Sequence, residues 1–235
     1  MSDSRGLGGE EMLPLIRLLQ LASPVLPIGA YSYSQGLEWA VDEGTLRDAA
    51  TAETWIGDIL DLVVARGEAA VLWRMFGAME RADWPRFSTW NAWFRASRET
   101  AELRAETEQM GGALAKLAFD LALVGGPAGQ ALERCAPVTL PAAFALAARG
   151  FGVPPQAALA AYLWSWLENQ ALAAMKLVPL GQLAGQRLLM SLGARIPAAV
   201  ASAMTLADDD LSSFAPGLCL ASSRHETQYT RLFRS

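Results

Sequence analysis

Residues 98–123 read RETAELRAETEQMGGALAKLAFDLAL, and this stretch decides the fold class. Its larger apolar residues recur at helical spacing: Leu103, Met110, Leu114, Leu117 and Leu121. Side chains three, four and seven residues apart share one face of an α-helix, so the stretch predicts a long helix with one buried stripe.

The first half of this helix carries its charge away from the stripe. Arg98 with Glu102, and Arg104 with Glu108, stand four residues apart, and such pairs contribute only about 0.2–0.5 kcal/mol each. Glu106 lies among them. A solvated face is the simplest interpretation of these charges.

The rest of the chain is also rich in helix-forming residues, and no run of alternating β-branched residues bounded by turns interrupts it. Glycines after apolar runs and prolines before them give the expected stops and starts. Helices are predicted at residues 11–22, 34–43, 49–66, 68–82, 84–96, 98–123, 141–149, 155–178, 180–193, 197–206 and 216–222. The prediction is an all-α protein with a single globular domain of about ten helices.

Three regions are expected along the chain. Residues 1–11 form a flexible N-terminus, residues 12–221 form the helical domain, and residues 222–235 form an extended C-terminal tail suited to docking. The glycine-rich stretch 125–129 is the most flexible internal segment by composition.

Composition excludes several functional classes. Apolar residues make up 52% of the chain and charged residues 18%, so part of the apolar surface is expected to cover partner proteins. The net charge of -5 gives no positive electrostatic potential that would attract nucleic acid. No secretory signal is recognised, and no apolar run reaches the roughly 18 residues of a membrane span, so a cytoplasmic protein is expected.

The residues for catalysis or metal binding are sparse. No phosphate-binding GxxxxGK[ST] loop is present, and Cys135 and Cys219 lack the spacing of a zinc site. His225 is the one histidine, so a hydrolase built on Ser34 and His225 is a weak alternative. We expect no catalytic residue and no resident metal or cofactor. Two copies of His225 sharing a nickel ion across a dimer stay open as an alternative.

Three polar stretches stand out from apolar surroundings, at residues 31–38, 168–186 and 222–235. Lys176 in the second is compatible with an ordinary lysine whose charge reaches solvent. The third combines arginines with aromatic residues, which fits either a docking segment or a frayed terminus.

The same stretches carry a resemblance to the UreF family of urease accessory proteins. The matching blocks are LASPVLPIG at 21–29 with YSYSQGLEW at 31–39, SRET at 97–100 with ELR at 102–104, WLEN at 166–169 with KLVPLGQ at 176–182, and RHETQYTRLFRS at 224–235. The resemblance covers most of the chain, and residues 125–138 match weakly.

The resemblance implies a non-catalytic, all-helical homodimer. It would bind a UreD/UreH-type accessory protein and recruit a UreG-type GTPase, so that apo-urease receives nickel. Nickel and GTP would belong to those partners.

The resemblance also assigns roles to residues. It implies that the UreD/UreH-type protein contacts the tail through Arg224, His225, Glu226, Tyr229, Arg231 and Phe233. Glu38 and Lys176 are implied to face the GTPase. The chain would favour one nucleotide state of that GTPase, or would activate it through an arginine such as Arg98 or Arg187.

Overall fold

The computed structural model describes the backbone of residues 9–235 and the side chains from Met12 onward. Its helices are α1 Gly9–Leu21, α2 Leu37–Asp42, α3 Ala49–Ile59, α4 Ala70–Glu80, α5 Trp84–Ala96, α6 Ala101–Asp120, α7 Gly126–Arg134, α8 Leu140–Gly150, α9 Pro155–Leu177, α10 Gln182–Gly193, α11 Ile196–Thr205 and α12 Pro216–His225. Short 3₁₀ turns occupy Ala30–Ser32 and Asp208–Asp210. No strand occurs between residues 9 and 235, so the predicted all-α fold is confirmed. Residues 1–8 of the predicted flexible N-terminus lie outside this description.

The core is organised around α9. This helix packs against α1, α2, α3, α4, α8, α10 and α11. Leu159, Leu163 and Leu167 on α9 are fully buried. A helix with neighbours on most of its sides explains why residues 155–178 read as an apolar run instead of a single stripe.

The α6 helix confirms most of its predicted stripe. Leu103, Met110 and Leu114 are buried, whereas Leu121 is exposed because the helix ends at Asp120. The helix packs closely against α8 through Gly111, where an added Cβ would lie 2.5 Å from the backbone of Thr139. Only glycine permits this approach.

The helices predicted at 49–66 and 68–82 are one continuous rod. The segment Leu60–Ala69 between α3 and α4 is a π-helix, in which backbone hydrogen bonds span five residues instead of four. Gly67, which falls between the two predicted helices, lies inside this rod. It packs against Ser212 and Ser213, with 3.2 Å between an added Cβ and the Ser212 carbonyl oxygen.

The glycine-rich stretch at 125–129 is another difference. It forms the start of α7, with Gly126 at a positive φ of 56° and Pro127 in the first turn, where a missing backbone N–H costs no helical hydrogen bond.

One stretch, Gln182–Thr205, has the length and apolarity of a membrane-spanning segment, with a mean hydropathy of 1.3. It folds as two helices, α10 and α11, separated at Ala194 and Arg195. Both helices pack against α9, and Arg195 pairs with Asp61. Core helices satisfy the same length and composition test, so the stretch is weak evidence for a span.

Candidate interaction site at the C-terminal tail

The C-terminal tail, residues 222–235, does not extend away from the domain. Residues 222–225 are the last turn of α12, and residues 226–235 run without a helix along α2 and α6. Phe233 and Ser235 are buried, so the tail is part of the folded domain in this state. We call this contact area the tail-docking site: Ser34, Glu38, Glu102 and Glu106, with the tail residues that they bind.

Gly36 sets the geometry of the site. It has a positive φ of 77° at the start of α2, and an added Cβ would lie 2.9 Å from the backbone nitrogen of Ser222. The absence of a side chain therefore lets α2 lie against α12. This contact turns Glu38, in the first turn of α2, toward the tail.

Glu38 is the main acceptor of the site. One carboxylate oxygen accepts the backbone N–H of Leu232 at 2.6 Å, and the other accepts that of Phe233 at 2.8 Å. The side chain is buried, and hydrogen bonds to a buried charged group are stronger than neutral ones. Glu38 thus fixes the backbone of the tail at Leu232 and Phe233 without using the side chains of these residues.

His225 links two carboxylates. Its Nδ1 lies 2.6 Å from Glu102, and its Nε2 lies 3.3 Å from Glu38. An imidazolium ring donates to both, whereas either neutral tautomer presents a lone pair to one of them. Arg231 adds a 2.8 Å ion pair to the second oxygen of Glu102.

The last residue is held in the interior. The Ser235 carbonyl oxygen accepts the backbone N–H of Ser34 at 2.7 Å and its hydroxyl at 2.5 Å, while the Ser235 hydroxyl donates to Glu106 at 2.9 Å. Gln35 donates to the other oxygen of Glu106 at 2.8 Å. Trp166 in turn donates to Gln35 at 2.8 Å, which ties the tail to α9.

Burial raises the pKa of Glu106 to about 7, and the negative charge of Glu68 adds to the shift against the hydrogen bonds from Gln35 and Ser235. The folded protein therefore binds this proton more tightly than the unfolded chain does. Between about pH 4.5 and pH 7 the unfolded chain loses this proton while the folded chain keeps it, so the free energy of unfolding falls as the pH rises.

The charged face predicted on α6 is wrong in two respects. Glu106 is buried at 7% exposure, and the side chain of Glu102 is only 13% exposed, so neither carboxylate is fully solvated. Arg98 is buried and pairs with Glu68 at 2.8 Å instead of Glu102. Glu108 pairs with Arg95 instead of Arg104. Arg98 and Glu108 therefore form ion pairs with residues on other helices instead of with residues four positions away on α6.

The proposed partner-binding residues divide into two groups. Arg224, Glu226, Tyr229, Arg231 and Lys176 are exposed, although Glu226 also accepts the backbone N–H of Ala101 at 2.9 Å. Glu38, His225 and Phe233 are buried inside the chain itself. The Lys176 ammonium lies 5.4 Å from the Phe233 ring, a cation–π distance that brings α9 and the tail together. The partner contacts of all eight residues stay predictions.

Sequence reasoning missed Ser34, Glu102, Glu106 and Ser235 as members of the site, and it missed Gln35 as a partner of Glu106. The one available signal was the number of polar residues at 31–38 and in the tail, which raised suspicion without pairing them. Ser34 and Ser235 are 201 residues apart, and no local pattern encodes a pairing at that separation.

The alternatives based on His225 lose their geometric support. Ser34 donates to Ser235 and both ring nitrogens of His225 face carboxylates, so the two do not form a nucleophile and base. A nickel ion shared by two His225 side chains needs a ring nitrogen at the surface, and this ring is 0% exposed. No group of three or more potential metal ligands occurs among the residues that the structure describes.

Large apolar side chains are exposed at several places, and two groups of them lie on the tail and on α1. Tyr229 and Leu232 point from the tail into solvent at 103% and 66% exposure. The outer face of α1 exposes Met12, Leu13, Leu15, Ile16 and Leu19. Contiguous exposed apolar surface is typical of sites that contact other proteins, whereas single exposed apolar side chains are common on any protein surface.

The fold and the site define an all-helical protein whose buried polar residues hold its own C-terminal tail in place. The UreF family model matches residues 46–193. Proteins called urease accessory protein UreF are similar over nearly the whole length. The one from Azoarcus sp. (strain BH72) is 55% identical over 226 residues, 95% of this chain and 97% of that protein. Those from Janthinobacterium sp. (strain Marseille) and Methylobacillus flagellatus are 52% and 47% identical, each over 94% of this chain and 98% and 97% of their own lengths. The chain belongs to the UreF family of urease accessory proteins.

Proposed function

We propose that this chain is a scaffold in nickel delivery to urease. It binds a UreD/UreH-type accessory protein and recruits a UreG-type GTPase, and the assembly acts on apo-urease. The chain works in the cytoplasm as a homodimer, apart from membranes and nucleic acids, while nickel and GTP are carried by the partners. Its family membership supports the urease part of this proposal.

The docked conformation of the tail is the observation that supports the proposed contact with the UreD/UreH-type protein. Its backbone is held by buried acceptors, so Tyr229, Leu232 and Arg224 stand on a fixed support at the surface. A fixed backbone beneath exposed aromatic and arginine side chains lowers the entropy cost of binding. The apolar face of α1 gives the chain a second surface, as a protein with several partners requires.

Co-purification with the two accessory partners tests the proposal. The double variant Tyr229→Ala/Leu232→Ala should fold normally and lose the UreD/UreH-type protein. Leu183→Ala/Met190→Ala is the matched control, because these α10 residues are similarly exposed and lie outside the tail. Retention of the partner by the tail variant, or equal loss in the control, would count against the tail contact.

Recruitment of the GTPase is tested separately, with and without GTP and nickel. We expect tighter binding of one nucleotide state, since only a difference in affinity between states can shift the GTPase. Lys176→Ala should weaken this complex, and the exposed Lys116→Ala serves as control. Equal affinity for both nucleotide states would contradict regulation by this route.

A further inference from the structure

A polar pocket lies away from the tail-docking residues, where α4 ends and α5 begins. It has a volume of about 220 Å³. Its lining consists of three arginines, two tryptophans, one glycine and one aspartate: Trp73, Arg74, Gly77, Arg81, Arg86, Trp90 and Asp208. We call it the arginine pocket. On a chain of net charge -5, three arginines around one cavity stand out.

Two of the arginines are fixed in place. Arg74 donates to Asp208 at 2.6 Å and to the carbonyl oxygens of Ala70 and Leu206, so each of its three nitrogens makes a hydrogen bond and its guanidinium is held in one position. Arg86 lies over the Trp90 ring at 4.7 Å and reaches the other Asp208 oxygen at 3.1 Å with one nitrogen. Arg86 therefore keeps further N–H groups for another acceptor.

Arg81 has no side-chain hydrogen bond or ion pair among the residues that the structure describes. Its guanidinium stands over Gly77, with 3.5 Å between its nearest nitrogen and the position of an added Cβ. The bare glycine gives the guanidinium room at the pocket edge. The Asp83 carboxylate at the start of α5 accepts the backbone N–H of Arg86 with one oxygen and makes no ion pair with Arg81.

We propose that the arginine pocket binds a small phosphate-bearing anion, either free or as part of a nucleotide. Among the lining residues, three guanidinium charges face the single carboxylate of Asp208, which leaves the lining itself with an excess of two positive charges. Asp83 and Asp209 stand beside the pocket but are not part of its lining. A phosphate group carries about two negative charges near neutral pH, and guanidinium forks match its oxygens. The half-buried Trp73 at the wall offers an aromatic surface for a base.

Calorimetric titration of the full chain at low salt tests the site, with inorganic phosphate, pyrophosphate and GTP as separate probes. We expect saturable binding at one site per chain. Arg81→Ala should raise Kd about tenfold or more, because a charge-assisted contact is lost while no internal contact changes. Arg47→Ala is the matched control, since Arg47 is exposed and outside the pocket.

The probes also separate the two sources of phosphate. Equal affinity for pyrophosphate and GTP would identify the phosphate group as the ligand. Tighter GTP binding that is lost in Trp73→Ala would identify a nucleotide. The proposal fails if no probe binds below about 10 mM, or if Arg81→Ala and Arg47→Ala bind alike. It also fails if a glutamate-rich peptide displaces phosphate at lower concentration, because the pocket would then take an acidic protein segment.

Discussion

Removing the Glu38 carboxylate should release the tail. In Glu38→Ala, the backbone N–H groups of Leu232 and Phe233 lose their acceptor, and each hydrogen bond to a charged group contributes about 1.5–3 kcal/mol. The two bonds together amount to roughly 3–6 kcal/mol of tail docking. The core does not depend on them, so the loss should appear as local opening of residues 226–235 and not as global unfolding.

Hydrogen exchange at the two amides measures this opening. At about 1.4 kcal/mol for each factor of ten, protection of Leu232 and Phe233 should fall by about two to four orders of magnitude. Trypsin should also cleave after Arg231 faster than in the unmodified chain. Glu43→Ala is the control, because this carboxylate is exposed and belongs to the end of the same helical segment.

Unchanged hydrogen exchange in Glu38→Ala would contradict this prediction. If both amides keep their protection in Glu38→Ala, some other contact holds the tail, and the docked backbone is not the support for Tyr229 and Leu232. Glu38→Gln gives an intermediate test, because the amide keeps one acceptor oxygen and loses the charge.

Three further predictions concern stability. Glu106→Gln should remove the fall in unfolding free energy between about pH 4.5 and pH 7, which is roughly 3 kcal/mol in the unmodified chain. Denaturant titrations at pH 5, 6, 7 and 8 measure this fall, and parallel pH profiles for both chains would refute the raised pKa of Glu106. Gly36→Ala should lower the Tm by more than Gly44→Ala, because both glycines have positive φ but only at Gly36 would an added Cβ lie within 3 Å of backbone atoms. Equal decreases in Tm would show that α12 moves to accommodate the added methyl group. Arg98→Ala should cost about 3–5 kcal/mol of folding stability, because its buried carboxylate partner Glu68 is left unpaired, whereas Arg187→Ala should leave stability unchanged. An unchanged GTP hydrolysis rate of the partner with both Arg98→Ala and Arg187→Ala would remove the arginine-finger hypothesis.

The fold class could be predicted because helical periodicity is local. The stripe on α6 and the proline starts of α8, α9 and α11 are encoded within a few residues of where they act. Gly67 shows the limit of this reasoning, since it separates the two predicted helices but lies inside one rod, where Ser213 packs close to it.

The site was less accessible from the sequence. The tail and residues 31–38 could be identified as polar stretches, but their mutual binding depends on pairs more than 190 residues apart, such as Glu38 with Phe233. Glu106 was misassigned for the same reason: its acceptor role is decided by Gln35 and Ser235, and its own helix gives no sign of either.

The π-helix Leu60–Ala69 also sets the angular phase between α3 and α4. Each residue in a helix turns the chain by about 100°, so deleting one residue from this segment would rotate everything after it on α4 by that angle. Arg74 would then face away from Asp208, and the arginine pocket would lose its wall. The number of residues in the π-helix therefore sets the rotation of α4 relative to α3 about their common axis.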